Sequence, residues 1–269
     1  MSTHEDPSLP ALEARGLSVA YPGAQVISGL DLAVPRGALT TLLGPNGCGK
    51  STLLRALARL IAPARGEVRI DGRPVVALTT REVARRVSLL PQSPTAPEGL
   101  SVFDLIRQGR YPHRSLFGGW TRADEAACAE ALRLTGLEPL AARPLESLSG
   151  GQRQRAWIAM TLAQQSGVLL LDEPTTYLDI AHQEDLLALL RSLVETRGAT
   201  VVAVLHDVNQ AARWSDHIVM MKAGAIAARG APEEVMTAER IEAVFGLRAV
   251  VTPSPVDGAP MALPARRRG

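Results

Sequence analysis

The sequence predicts an α/β fold with a mainly parallel central sheet, an antiparallel β subdomain near its start and an inserted helical subdomain. Four short apolar runs are nearly continuous rather than alternating, which is typical of strands covered by helices on both faces. Segments broken by Gly and Pro precede the first run, and only helix signals occur over residues 101–145. With 269 residues, 46% of them hydrophobic, the chain can bury a large aliphatic core.

The earliest segments, "EARGLSVAYP", "AQVISG" and "LDLAVP", predict three short antiparallel strands. The four apolar runs predict buried parallel strands at residues 39–44, 87–92, 168–173 and 201–206. Three of these runs end in polar residues. The carboxyl ends of parallel strands are where α/β sheets bind ligands, so these residues are candidates for a site.

Two capping signals predict the helices of the insert. Ser101 with Asp104, and Thr121 with Asp124, have the spacing of a helix start, and Gly136 is placed to end the second helix. We predict a core of residues 10–92 and 166–250 that includes the antiparallel subdomain, a helical subdomain of residues 93–165 and a C-terminal extension of residues 251–269.

The segment "IAHQEDLLALLRSLVETRG", residues 180–198, predicts a long amphipathic helix. Leu186, Leu190 and Leu193 fall on one face, and Gly198 is placed to stop it. Residues 231–246 predict two short helices, and the Pro-rich last ~20 residues predict short extended pieces.

Composition narrows the function classes. A net charge of +2 does not favour nucleic-acid binding, and the basic end "ARRRG" predicts a solvated terminus. The two cysteines, Cys48 and Cys128, form no disulfide framework or zinc spacing, which favours a reducing compartment. We find no secretion signal and no apolar run near the ~20 residues of a membrane span, so a membrane role would require a partner.

A glycine-rich loop follows the first apolar run and opens a helix. The sequence "GPNGCGKS", residues 44–51, fits the pattern G-x-x-x-x-G-K-[ST] in the strand–loop–helix context that the pattern needs. Its backbone N–H groups and the helix dipole favour phosphate, Lys50 supplies positive charge and Ser51 a hydroxyl for Mg²⁺. Cys48 is interpreted as a small buried thiol, with a reactive thiol as the alternative.

Polar residues at the other strand ends complete this picture. Asp172 is placed to hold Mg²⁺, and Glu173, one residue on, to act as general base; an acidic cap before a helix is the alternative. Gln92 could ligate Mg²⁺ or orient water, and His206 could bind the γ-phosphate. Taken alone, Gln92 could simply end a strand, and His206 could simply be a structural residue.

A second glycine loop, "LSGGQ" at residues 148–152, also precedes a helix. Ser149, Gly150 and Gly151 could present N–H groups and a helix dipole to phosphate, yet this loop has no lysine. Trp157, in the helix that follows, is interpreted as a packing residue.

Taken together, these motifs resemble the ATP-binding subunit of an ABC transporter over essentially the whole chain. Tyr21 resembles the aromatic residue that stacks on adenine, and "YLD", residues 177–179, resembles the D-loop that contributes Asp179. Tyr177 departs from the commonest pattern, in which a small residue is frequent. The resemblance implies ATP and Mg²⁺ as cofactors, with the following residues at the nucleotide: Tyr21, Gly44, Pro45, Asn46, Gly47, Cys48, Gly49, Lys50, Ser51, Thr52, Ser149, Gly150, Gly151, Gln152 and Asp179.

The resemblance also implies why there are two loops. Two copies would meet head to tail, so that each ATP lies between the lysine loop of one copy and "LSGGQ" of the other. Glu173, His206 and Gln92 would be the catalytic residues, and Ser51, Gln92 and Asp172 the Mg²⁺ ligands.

Longer sequence segments resemble the ATPases of bacterial ferric-siderophore importers, a type shared with heme and vitamin B12 importers. Examples are "RQGRYPHRSLFGGWTRAD" and "PVDGAPMALP". That resemblance implies permease subunits as direct partners, a substrate-binding protein as an indirect one, and a position on the cytoplasmic face of the bacterial inner membrane. We expect residues 92–114 to couple to the permease, with an ordinary solvated loop as the alternative for "GRYPHRS".

Two alternatives of other classes remain open. One is a soluble ABC-type ATPase of DNA repair, chromosome maintenance or translation, which the balanced charge and single compact cassette disfavour. The other is an ATPase of iron–sulfur cluster assembly with the same fold.

Overall fold

The computed structural model describes residues 9–114 and 118–265. The expectation of a solvated basic tail concerns residues 266–268, and that of no secretion signal concerns residues 1–8. Both segments lie outside the described ranges. The strands are β1 (Leu12–Tyr21), β2 (Ala24–Val34), β3 (Leu39–Leu43), β4 (Arg65–Ile70), β5 (Arg73–Pro74), β6 (Val87–Leu90), β7 (Val168–Asp172), β8 (Thr200–Val204), β9 (His217–Lys222), β10 (Ala225–Gly230), β11 (Ala249–Pro253) and β12 (Pro260–Pro264).

The helices are α1 (Lys50–Leu57), α2 (Thr80–Arg86), α3 (Val102–Gln108), α4 (Arg122–Leu134), α5 (Gly150–Ala163), α6 (Ile180–Arg197), α7 (Val208–Trp214), α8 (Pro232–Val235) and α9 (Ala238–Phe245). Within the ranges that the structure covers, none of them is both long and apolar enough to cross a membrane.

The first sheet is antiparallel, with strand order β2-β1-β4-β5. The prediction of three short strands before the glycine loop is wrong in its count, because the second and third segments form the single strand β2. Gly29 adopts a φ of +59°, and its N–H donates to the Ser18 hydroxyl at 2.9 Å, so the strand shifts register there instead of ending. Glycine thus produces a bulge where the sequence indicated a break.

The central sheet has the order β10-β9-β3-β8-β7-β6, with all neighbours parallel except β10, which is antiparallel to β9. The four predicted parallel strands are therefore confirmed and adjacent. Successive side chains of each strand pack into different clusters. Leu170 belongs to one that includes the antiparallel subdomain, and Leu171 to one that includes the helices α3–α6.

The helices α3, α4 and α5 lie between β6 and β7 in the chain, as predicted. Both predicted capping boxes are present, at Ser101 with Asp104 and at Thr121 with Asp124. The long helix α6 ends at Gly198, which has a left-handed φ of +63°. The chain closes with two short helices and a two-stranded hairpin, β11–β12.

A buried ion pair fastens the helical insert. The guanidinium of Arg110 contacts the Asp124 carboxylate at 2.9 Å and donates to the Ala163 carbonyl at 2.8 Å, which connects α4 to the end of α5. The Thr121 hydroxyl, followed by the Arg110 guanidinium, lowers the pKa of Asp124 to about 2, although burial opposes this shift. The pair costs desolvation, so removing one partner leaves an uncompensated buried charge.

Replacing Asp124 by asparagine is therefore expected to lower the free energy of unfolding by about 3 kcal/mol, measured by urea unfolding at pH 7. Because the folded-state pKa is depressed, this contribution is present above the ordinary pKa of 3.8 and is lost as pH falls toward 2. The matched control is Asp104→Asn, at the exposed capping box of α3, with an expected loss of about 1 kcal/mol. Equal losses in the two variants would contradict a special role for the buried pair.

Candidate active site

The carboxyl edge of the central sheet gathers the predicted polar residues. Because β3, β8, β7 and β6 are adjacent and parallel, the loops that follow them share one edge. Lys50 follows β3, and His206 follows β8. Asp172 is the last residue of β7, Glu173 comes directly after it, and Gln92 follows β6. The strands are shorter than predicted, so Gln92 and His206 lie two residues beyond the last strand residue, in the connecting loops.

The lysine loop is held tightly between β3 and α1. At Gly44 (φ +150°) an added Cβ would lie 2.3 Å from the Met221 carbonyl oxygen, so only glycine fits this approach to β9. The buried Lys50 ammonium donates to the carbonyl oxygens of Gly44 at 2.8 Å and Pro45 at 3.1 Å. The Cys48 sulfur is also buried, 3.9 Å from Lys50 Nζ. The lysine charge is thus fixed inside the loop, at the N-terminus of α1.

Ser51 and Asp172 form the donor set predicted for a metal. The Ser51 hydroxyl donates to Asp172 Oδ1 at 3.0 Å, while the buried Asp172 Oδ2 has no hydrogen-bond partner. Burial raises the pKa of Asp172. Within the described part of the chain, no three or more His, Cys, Asp or Glu side chains are arranged so that they alone could hold a metal ion. The donor set, one carboxylate with a spare oxygen and one hydroxyl, fits a hard cation that shares phosphate oxygens.

Glu173 is paired with both of its predicted neighbours. His206 Nε2 lies 2.9 Å from Glu173 Oε1, and the side chain of Gln92 also hydrogen-bonds to this carboxylate. Burial acts to raise the pKa of Glu173, but the hydrogen bonds from His206 and Gln92 and the charges of His206 and Lys50 outweigh it, so this pKa is lowered. A backbone φ of +55° turns Glu173 away from the strand direction. These groups therefore form one hydrogen-bonded unit.

The second glycine loop forms the start of α5. Ser149 caps the helix: its hydroxyl accepts from the Gln152 N–H at 3.2 Å, and its own N–H donates to Gln152 Oε1 at 3.1 Å. Ser149 and Gly150 are exposed. A Cβ on Gly150 would lie 3.6 Å from the Tyr177 Cβ, and one on Gly151 3.3 Å from Leu178. The loop thus lies beside residues 177–178, with its helix N-terminus open to solvent.

The remaining predicted nucleotide residues lie at the rim. Tyr21 ends β1 and is 38% exposed, and in the paired strand the Val26 side chain lies 3.4 Å from where a Cβ on Gly49 of the lysine loop would be. Tyr177 has a left-handed φ of +68° and is 73% exposed. The Asp179 carboxylate caps its own helix α6, accepting from the His182 N–H at 2.9 Å. Asp179 therefore lies next to the second glycine loop, and its carboxylate is engaged in capping α6 of the same chain.

Three polar side chains that were not singled out from the sequence tie these loops together. The buried Gln154 amide donates to the Pro174 carbonyl at 3.1 Å, which connects α5 to the turn after Glu173. Gln183 donates to the Leu178 carbonyl at 3.0 Å, and Asn209 joins α7 to the C-terminal hairpin. The sequence signal for Gln154 is that it is a polar residue among the mainly apolar buried positions of α5.

A lysine loop after β3, a hydrogen bond between Ser51 and the buried Asp172, and a glutamate directly after β7 define this molecule as a P-loop ATPase. Residues 27–176 match the protein-family model described as ABC transporter. The chain belongs to the ABC transporter family, and it is the kind of subunit that binds and hydrolyses ATP.

Relatives at high identity cover nearly the whole chain. The ferric enterobactin transport ATP-binding protein of Escherichia coli is 48% identical, over 97% of this chain and 96% of that protein. The petrobactin import ATP-binding protein FpuD of Bacillus anthracis is 46% identical, over 94% of this chain and 93% of that protein.

Solved structures agree with the fold. An ABC transporter assigned to the metal-chelate type, in an inward-facing conformation, has a TM-score of 0.82 at 29% identity, over 96% of this chain and 98% of that chain. The ATP-binding cassette MJ0796, solved as a dimer with ADP and Pi, has a TM-score of 0.74 at 28% identity, over 82% of this chain and 98% of that chain.

Proposed function

We propose that this chain powers the uptake of an iron–siderophore complex, as the ATPase of a bacterial importer that also contains permease subunits. The observation that carries this proposal is the near-full-length similarity to ATP-binding proteins of ferric enterobactin transport in Escherichia coli and of petrobactin import in Bacillus anthracis. The proposed division of the chain fits such a subunit. It has a core of residues 10–92 and 166–250, a helical subdomain of residues 93–165 and a C-terminal extension of residues 251–269.

In this proposal the lysine loop holds the phosphates of ATP. The N–H groups of residues 44–51 and Lys50 bind the β- and γ-phosphates, with Thr52 beside them and Tyr21 against the base. Ser51, Asp172 and Gln92 are the residues that would hold Mg²⁺. Such an ion neutralises charge on the phosphate oxygens when bound. The unpartnered Oδ2 of Asp172 supports this assignment.

Glu173 is the proposed general base. Its lowered pKa keeps the carboxylate ionised at neutral pH and able to accept a proton from the attacking water. In this proposal His206 would donate a ring N–H to the γ-phosphate, and Gln92 would orient the water. Lys50 stabilises the charge that develops on the transferred group.

A second copy of the chain completes each site. The exposed N-terminus of α5, with Ser149, Gly150, Gly151 and Gln152, has N–H groups for a γ-phosphate but no lysine of its own. A head-to-tail dimer would set it against the ATP held by Lys50 of the other copy, and Asp179, beside it, would lie at the same contact. ATP then bridges the two copies, and hydrolysis releases the bridge.

The cargo is tested by growth on defined iron sources. A strain lacking this gene is expected to lose growth on ferric siderophores as sole iron source, to keep growth on ferrous iron, and to recover with the plasmid-borne gene. Vitamin B12 is the second candidate, because a cobalamin import ATP-binding protein of Halobacterium salinarum is 40% identical over 92% of this chain. Unchanged growth on ferric siderophores with a defect on vitamin B12 or on heme would contradict the siderophore assignment.

We also propose that residues 92–114 receive the permease, which would place the subunit on the cytoplasmic face of the inner membrane. The segment connects the site to the helical insert, because Gln92 bonds Glu173 and the Arg110 guanidinium anchors α4. The turn 111–114 lies on α2, where Arg85 donates to the Pro112 carbonyl at 2.9 Å, and Tyr111 is 72% exposed. A rigid, outward-facing aromatic residue is typical of an interface anchor.

Replacing Tyr111 by alanine is expected to lower transport at least fivefold while the ATPase activity of the isolated subunit stays within about twofold. Substrate uptake in cells and phosphate release by the purified chain are the two measurements. The exposed Val76→Ala is the matched control and should change neither. Full transport in the Tyr111 variant would favour the interpretation of this turn as an ordinary solvated loop.

A further inference from the structure

The C-terminal hairpin β11–β12 lies beyond the residues that match the family model, yet it is bonded to the helix that follows His206. His206 directly precedes Asp207, which caps α7: its carboxylate accepts from the N–H groups of Asn209 at 2.7 Å and Gln210 at 3.2 Å. The backbone position of His206 is therefore set by where α7 begins.

One side chain of α7 pairs with the hairpin at both of its polar atoms. Asn209 Oδ1 accepts from the Ala262 N–H at 2.8 Å, and Asn209 Nδ2 donates to the Ala262 carbonyl at 3.3 Å. Ala262 is buried and lies opposite Val251 in the hairpin. A carboxamide that meets both the N–H and the C=O of one residue acts like an additional strand position, and this fixes distance and orientation together.

The other end of α7 is tied to the same hairpin. Arg213, in its last turn, contacts Asp257 at the hairpin turn at 2.8 Å and Glu184 of α6 at 3.0 Å. Gln210 donates to the Gln183 side chain at 2.9 Å, and Gln183 donates to the Leu178 carbonyl near the second glycine loop. The hairpin therefore holds α7 at two points, while α6 holds it from the side of the active site.

We propose that Asn209 is a positioning residue for ATP hydrolysis: by pairing with Ala262 it makes the C-terminal hairpin the support that holds His206 against Glu173. The proposal rests on the proposed role of His206. In that geometry His206 Nε2 is 2.9 Å from Glu173 Oε1, and a displacement of about 1 Å at a catalytic group can cost up to a hundredfold in rate. Nucleotide binding by the lysine loop does not involve α7, so ATP affinity should be spared.

The test removes the contact from each side in the full-length chain. Asn209→Ala deletes the carboxamide, and Ala262→Pro deletes the N–H that Asn209 Oδ1 accepts, without changing α7. Each variant is expected to lower kcat for ATP about tenfold with KM within about twofold. The double variant should lose no more than the worse single one, because both changes remove the hydrogen bond from the Ala262 N–H to Asn209 Oδ1. Arg248→Ala, which removes only an exposed ion pair with Glu242 at the base of the hairpin, is the control and should keep kcat.

A purely structural role would lower Tm but leave kcat unchanged at temperatures where the variant is folded, and that result would overturn the proposal. The proposal would also be overturned if the losses of kcat in the two single variants multiplied in the double variant, or if Asn209→Ala lowered kcat and Ala262→Pro did not. NMR of the His206 ring in Asn209→Ala gives a readout that does not need Ala262→Pro to fold. A shift of its signals is expected, and unchanged signals overturn the proposal. His206→Ala tests the underlying role separately: if it hydrolyses ATP normally, the function assigned to His206 fails, whatever Asn209 does.

Discussion

Replacing Glu173 by glutamine is expected to lower kcat for ATP hydrolysis by a factor of about 10²–10³ while ATP still binds. The amide keeps the size and the hydrogen-bond contact with His206 but cannot take a proton from water. The Lys50 loop and the Ser51–Asp172 pair, which bind the phosphates in our proposal, are untouched. Phosphate release measures the rate, and equilibrium binding of ATP measures the affinity.

The matched control is Glu195→Gln on α6, which removes an exposed carboxylate paired with Arg191 and should leave the rate unchanged. Because a bound but uncleaved ATP keeps bridging two copies, Glu173→Gln should also elute as a dimer with ATP where the parent chain returns to monomer. Near-normal hydrolysis by Glu173→Gln would show that Glu173 is not the general base. Its pairing with His206 would then have only a structural role.

Replacing Ser149 by arginine is expected to abolish hydrolysis, with a loss of more than about a hundredfold, and to leave ATP affinity within about threefold. The long cationic side chain would fill the exposed N-terminus of α5, where the partner's γ-phosphate is proposed to lie, and the lost cap costs the helix about 1 kcal/mol. The ATP held by the lysine loop of the same chain is bound elsewhere. Binding and hydrolysis should therefore separate in this variant.

Ser192→Arg, at an exposed position of α6, adds the same side chain away from the second loop and should change neither quantity. Mixing the Ser149→Arg chain with Lys50→Ala chain gives a sharper test. Of the two sites in a mixed dimer, one carries both changes and the other carries neither, so half of the sites should hydrolyse ATP. Loss of ATP binding by Ser149→Arg alone would mean that the loop contributes to the site of its own chain.

The sequence was sufficient for the parts of the fold that depend on local pattern. Continuous apolar runs predicted β3, β6, β7 and β8, and the capping boxes at Ser101 and Thr121 predicted the starts of α3 and α4. It failed where tertiary context decides. Gly29 could be a strand break or a bulge, and only its pairing with β1 distinguishes the two. The strand β10, with its alternating exposed residues, depends on β9 for its place.

The same division holds for the site. The lysine loop and the carboxylates were recognisable, because their residue types and spacing follow from phosphate and metal chemistry. The partners that hold them were not. Gln154, Gln183 and Asn209 act on backbone groups 20, 5 and 53 residues away, and such contacts leave no periodic trace in a sequence. The strain at Tyr177, with a left-handed backbone under a large side chain, also has no local signal.

The central sheet has a consequence for how this subunit can evolve. Neighbours such as Leu170 and Leu171 point into two separate cores, one shared with the antiparallel subdomain and one with the helical insert. Substitutions in cores without shared partners tend to add rather than interact. Substitutions in the helical insert can therefore change the side that we propose to receive the permease with little effect on the packing around the lysine loop.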